Sequence, residues 1–139
     1  MKALFIAALF AQSSAIAGDF AGLDCLAIGI SRSNPLGEYF TLQEDQRRIR
    51  IRQNLEEAHL GDLVFSAREG DAIQLLSSRR RSAEKVRKFI LEKKDQEFAI
   101  LIQVDMTTSR RGRNFGEVIL LESGSTAVTR IAHISCAAK

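Results

Sequence analysis

Cysteine and arginine are the residue types in this chain whose placement points to chemistry. Cys25 and Cys136 are its two cysteines, one near each end of the region that follows residue 17. Neither belongs to a C-x-x-C pair, and neither has the neighbouring base that marks a reactive thiol. An even count in an exported chain allows a single pairing, so a structural disulfide is expected between them. It closes a loop of about 110 residues, for which the chain-entropy argument assigns roughly 4–5 kcal/mol. Arginine comes in three clusters: Arg47-Arg48 with Arg50 and Arg52, Arg79-Arg80-Arg81 with Lys85, Arg87 and Lys88, and Arg110-Arg111-Gly112-Arg113. Guanidinium forks suit phosphate, sulfate and carboxylate groups. Arg79, Arg80, Arg81, Arg110, Arg111 and Arg113 therefore form a candidate anion-binding patch. The competing reading is a solvated strand face whose outward cations discourage edge-to-edge pairing. Acids run among the cations (Glu44, Asp45, Glu56, Glu57, Glu84, Glu92) and partly cancel the positive field.

Other chemistries find little support. His59 and His133 are the two histidines, with no second histidine or cysteine at metal-ligand spacing, so no metal is expected. There is no Gly-x-Ser-x-Gly elbow, and Ser123-Gly124-Ser125 reads as a turn. Glu44-Asp45 and Glu56-Glu57 are adjacent acids, and neighbours on a strand point to opposite faces, so neither pair is a ready acid/base dyad. Phosphate-loop and dinucleotide fingerprints are absent. The expectation is a protein that is not an enzyme and needs no cofactor. Zero Trp, one Tyr and six Phe after residue 17, with Phe40, Phe65 and Phe98 in apolar runs, leave few rings for stacking bases or sugars, so nucleic acid is not an expected partner.

The N-terminus carries an export signature. Met1-Lys2 is followed by nine apolar residues, Ala3 to Ala11, then Gln12-Ser13-Ser14 and the small-x-small triplet Ala15-Ile16-Ala17. That is the layout of a secretory signal peptide over 1–17. The apolar run is far shorter than the roughly 20 residues a membrane-spanning helix needs, and no second long apolar segment follows it, so no span is expected after cleavage. The expected mature chain, 18–139, is a single soluble β-rich domain, periplasmic or extracellular, with its ends tethered by the disulfide. Removing Lys2 with the leader lowers the net charge of the full chain, +3, by one.

The elements that must position these residues follow a period of two. Arg48-Ile49-Arg50-Ile51-Arg52 alternates strictly, with Ile inward and Arg outward, as a strand with one buried face requires. Tyr39 to Leu42 precedes it, with Glu44-Asp45-Gln46 as the turn. Further strands are expected at Leu63 to Phe65, Ala72 to Leu76, Phe98 to Val104 and Glu117 to Leu121. A last strand is expected over Ala127 to Cys136, with Val128, Arg130, Ala132 and Ile134 on one face and His133, half-buried, on the other. Over 82–94 the residues Ala83, Val86, Phe89 and Ile90 fit a short helix, whereas Lys93-Lys94-Asp95-Gln96 between two apolar runs reads as a hairpin with a strand over 86–92. About eight strands joined by short turns, with no alternating helices, predict an all-β, mainly antiparallel small barrel or sandwich. In a closed sheet the first and last strands are neighbours, which would bring the two cysteines together.

The layout resembles that of small exported bacterial β-proteins with one cysteine soon after the signal and another at the C-terminus, among them some lysozyme inhibitors of the bacterial periplasm. The short inhibitory loop of those inhibitors is not found in this chain, so the resemblance implies architecture alone. The expected function is a non-enzymatic binding or structural module of the cell envelope. The alternative is an inhibitor or scavenger whose Arg-rich loops engage an acidic protein or an anionic envelope polymer.

Overall fold

The computed structural model describes residues 22–31, 47–76, 86–122 and 128–137, without the side chains of 108–110. The expected leader (1–17), the strand at 39–42 with its turn, the arginines at 79–81 and the turn at 123–125 lie outside those residues. Nine strands form among the described residues: β1 (Leu23–Ile30), β2 (Arg48–Ile51), β3 (Glu57–Leu60), β4 (Leu63–Ser66), β5 (Ala72–Leu76), β6 (Val86–Glu92), β7 (Phe98–Arg110), β8 (Arg113–Glu122) and β9 (Val128–Ala137). One sheet holds them in the order β4-β3-β2-β1-β9-β8-β7-β6-β5, with every neighbouring pair antiparallel. Its two outer strands, β4 and β5, come into contact, so the sheet is a nearly closed barrel. No helix among the described residues is long and apolar enough to cross a membrane.

The inward residues are those the alternation marks. Ile49 and Ile51 of β2, Phe89 and Leu91 of β6, and Ile100, Ile102 and Val104 of β7 are buried in one apolar cluster with Phe65, Leu120 and Ile134. Small barrels fill their interior with such side chains. The short helix considered near 82–94 is not formed over 86–92, which is strand; residues 82–85 lie outside the described residues. Local propensity favours helix there, but β5 and β7 flank the segment, and β5 pairs with it residue by residue from Leu76–Lys88 to Ala72–Glu92. Tertiary pairing overrides a weak local preference.

Cys25 and Cys136 are bridged, buried, and directly opposite each other on β1 and β9. Those strands meet in the middle of the sheet, and closure falls instead between β4 and β5. The last strand departs from a single alternation. A register shift against β8, where Val118 faces Ala132 but Ile119 faces Arg130, makes Ile131 and Ala132 both buried. Such a bulge exchanges the two faces of a strand. His133 is consequently exposed rather than half-buried.

Between β4 and β5 a 3-10 turn, Ala67–Glu69, leads to Asp71, whose carboxylate joins the two sides of the seam. Its Oδ2 accepts from the Ser66 amide at 2.8 Å and from Lys93 Nζ at 3.0 Å, and its Oδ1 accepts from the Lys94 amide at 2.8 Å. Lys93 also donates to the Val64 carbonyl at 2.7 Å and lies 6.0 Å from the centre of the Phe65 ring. This clasp ties β4 to the β6–β7 turn where no backbone ladder is available.

Candidate functional site

The two arginine clusters that make up the candidate patch reach the structure unequally. Arg79, Arg80 and Arg81 lie outside the described residues. Arg110 and Arg113 are paired in register at the end of the β7–β8 hairpin, and Arg111-Gly112 form its tip. Both tip residues have positive φ (55° and 78°), as a two-residue turn matched to the strand twist requires. Arg111 is exposed. Arg113 is turned onto the neighbouring strand, where its guanidinium donates to Ser135 Oγ at 2.5 Å and to the Ser135 carbonyl at 2.6 Å. That donor pair is engaged within the barrel wall.

The third cluster, on β2, is the one that meets a groove. An open depression of about 560 Å³ lies against β1, β2 and β3, lined by Asp24, Arg50, Arg52, Gln53, Asn54, Glu57 and His59, with Gly22, Leu23 and Ile51. The ladder explains the grouping. Asp24 pairs with Arg50, and Arg50 pairs with His59, so one outward row crosses three strands. Residues directly opposite on one face lie about 4.5–5.5 Å apart at Cβ, close enough for their side chains to interact. Glu57 is two residues before His59 and shares its face.

The turn from β2 to β3 forms one end of the groove. Arg52 N–H donates to the Glu57 carbonyl at 3.0 Å, and Leu55 N–H donates to the Arg52 carbonyl at 2.9 Å. The Asn54 side-chain oxygen accepts from the Glu56 amide at 3.1 Å. Leu55 takes a left-handed conformation, with φ 58°. Such a conformation costs a non-glycine residue about 1–3 kcal/mol. Here the side chain it orients is buried in the core cluster. The turn is anchored from beneath while Gln53 and Asn54 stay exposed.

The electrostatics are of mixed sign. Glu57 Oε1 lies 2.6 Å from His59 Nε2 and 3.4 Å from Arg52 Nε. The hydrogen bond with His59 holds the Glu57 carboxyl below its ordinary value, against the opposing effect of desolvation and with help from the His59 and Arg52 charges. Arg48 Nε is 3.9 Å from Asp24 Oδ1, a loose pair. Arg50, between them, has no side-chain partner among the described residues. Three outward arginines thus stand in line, and only the middle one carries an uncommitted fork. No group of three metal-ligating side chains forms among the described residues.

The sequence marks Arg48, Arg50 and Arg52 as a cluster but does not single out Glu57 and His59 as their partners. The signal that could have done so is the Glu-x-His spacing within Glu57-Ala58-His59-Leu60, a four-residue alternation whose inward positions are Ala58 and Leu60. A second, separate cluster, Glu117 with Arg130, is a salt bridge across β8 and β9 on the outer surface. Comparison of the chain with known protein families, curated proteins and solved structures finds no match.

Proposed function

We propose that this protein is an exported, non-enzymatic binding module of the cell envelope, and that it docks an acidic protein partner through the outer face of β1–β3. The observation that carries this reading is the arginine row Arg48, Arg50 and Arg52, on β2 and the residue just after it. Its arginines recur every second residue, with backbone positions about 7 Å apart along the strand. Asp24 and Glu57 stand beside the outer two and leave Arg50 uncommitted. A continuous polyanion would be repelled by those two carboxylates. A protein surface presenting one acidic group, with donors to either side, suits the alternation of signs. Export is supported by the leader-like N-terminus and by the buried disulfide, a bond that persists in oxidising compartments.

The test is capture from an envelope extract by the immobilised mature protein at low and at high salt. One acidic protein should be retained at low salt and released as screening shortens the reach of the charges. Arg50→Glu should abolish capture, and Lys88→Glu, at an exposed position on β6, should not. Capture that is absent, or that survives Arg50→Glu, overturns the proposal.

A further inference from the structure

We infer that the groove holds a single-oxyanion site formed by Arg50 and His59, and that it fills only when His59 carries its proton. The inference rests on the binding face proposed above and names the group it recognises: one carboxylate, phosphate or sulfate oxyanion.

Arg50 supplies the first contact. It faces His59 across the β2–β3 ladder and opens onto the groove with an unpaired fork, the geometry that grips an oxyanion through two parallel N–H bonds. His59 supplies the second. Its Nε2 lies 2.6 Å from Glu57 Oε1, and among the described residues Nδ1 has no partner. A neutral imidazole that donates through Nε2 presents a lone pair at Nδ1, which repels an anion. The imidazolium donates through both nitrogens, so it stays bonded to Glu57 while offering Nδ1–H and a positive charge. Glu57 is therefore the residue that orients the ring, and the hydrogen bond with His59, together with the Arg52 charge, favours its ionised carboxylate.

The charged surroundings of His59 set the selectivity. Glu57 shares its strand, Arg50 comes from β2, Arg52 from the turn that follows it, and Asp24 from β1 beyond Arg50. On the other side β4 places the apolar Val64 opposite the ring. Two carboxylates, Asp24 and Glu57, line the same groove and partly offset the arginine charge. Gln53 and Asn54, exposed at the groove's end, are positioned beside groups adjoining the oxyanion.

The experiment is a titration of the mature protein with sodium sulfate and, separately, with sodium acetate, followed by NMR of the Arg50 Nε–H and the His59 ring. Both anions remain ionised from pH 6 to pH 8, so any pH dependence belongs to the protein. Sulfate should saturate these signals at pH 6, and affinity should fall at least about tenfold as the pH is raised until the ring signals themselves report loss of the proton. Arg50→Gln should weaken binding roughly tenfold or more at pH 6, the scale of one charge-assisted contact. His59→Gln should remove the pH dependence, while Lys88→Gln, at an exposed position on β6, changes neither. Acetate binding as tightly as sulfate identifies a carboxylate site; a clear preference for sulfate identifies a phosphate or sulfate ester. Thermal unfolding of each variant confirms that it is folded. The inference is overturned by pH-independent binding, by an unchanged Arg50→Gln, or by shifts spread equally over Arg47, Arg68 and Arg87. If anion binding fails while partner capture remains Arg50-dependent, this inference falls and the binding face stands; the reverse pattern removes the partner reading alone.

Discussion

Asp71 has a carboxylate side chain only 2% exposed, yet it stays charged. Burial favours its neutral form, but the Lys94 and Ser66 amides and the Lys93 ammonium outweigh that cost and hold its carboxyl below the usual aspartate value. A folded-state value below the unfolded one gives stability that is complete above the ordinary carboxylate range and is lost as pH falls through the folded value. Asp71→Asn keeps the size of the side chain and removes the charge, leaving Lys93 without its counter-ion. Stability at pH 7 should drop by about 2–4 kcal/mol. Urea unfolding at descending pH checks the origin: the gap between wild type and variant should close below the carboxylate range. A gap that stays constant with pH would point to packing instead. Nothing in the sequence sets Asp71 apart from other turn acids after a glycine. Its importance comes from Lys93, 22 positions away, which only the closure of the barrel brings to it.

Among the strands, legibility follows the contrast between faces. The stretch from Arg48 to Ile51 is plain because arginine and isoleucine alternate without exception, and the structure places Ile49 and Ile51 inside. The first strand is hidden because Leu26, Ile28 and Ile30 are apolar on its outer face, which erases the period-two signal. The third is hidden because four residues with a small Ala58 inside give little contrast, and Glu57 and His59 are hidden with it. Two strands also run longer than their apolar cores suggest: β7 and β8 extend to the Arg111-Gly112 tip, past the polar stretch at 105–109. Gly116 marks a close approach within that hairpin. A Cβ there would lie 2.0 Å from the Gln103 carbonyl oxygen, a backbone atom that has no room to yield. Gly116→Ala should therefore cost about 3 kcal/mol, the upper end of ordinary overpacking. Thermal unfolding reads the loss, and a variant as stable as wild type would show that β7 and β8 separate freely at this point.

At the scale of the molecule, the disulfide spans 111 residues of sequence but joins neighbours on two paired strands. Cys25→Ala with Cys136→Ala should lower stability by about 2–5 kcal/mol, chiefly by freeing the unfolded chain. The β1–β9 ladder and the core remain, so its circular dichroism should keep the strand signature of wild type. Labelling of wild type should find no reactive thiol until the protein is both unfolded and reduced; two accessible thiols in the native state would contradict the bridge. The amino-acid sequence by itself determines the strand class, most of the inward set and the cysteine pairing, because each follows from local periodicity or from a count that admits one answer. The tertiary structure alone decides the place of the seam, the bulge that turns His133 outward, and the pairing that commits Arg113 to Ser135 while Arg50 lines the groove. Each of those depends on which strands lie side by side, and that is settled by closing the sheet over a shared core, an interaction among residues far apart in the chain.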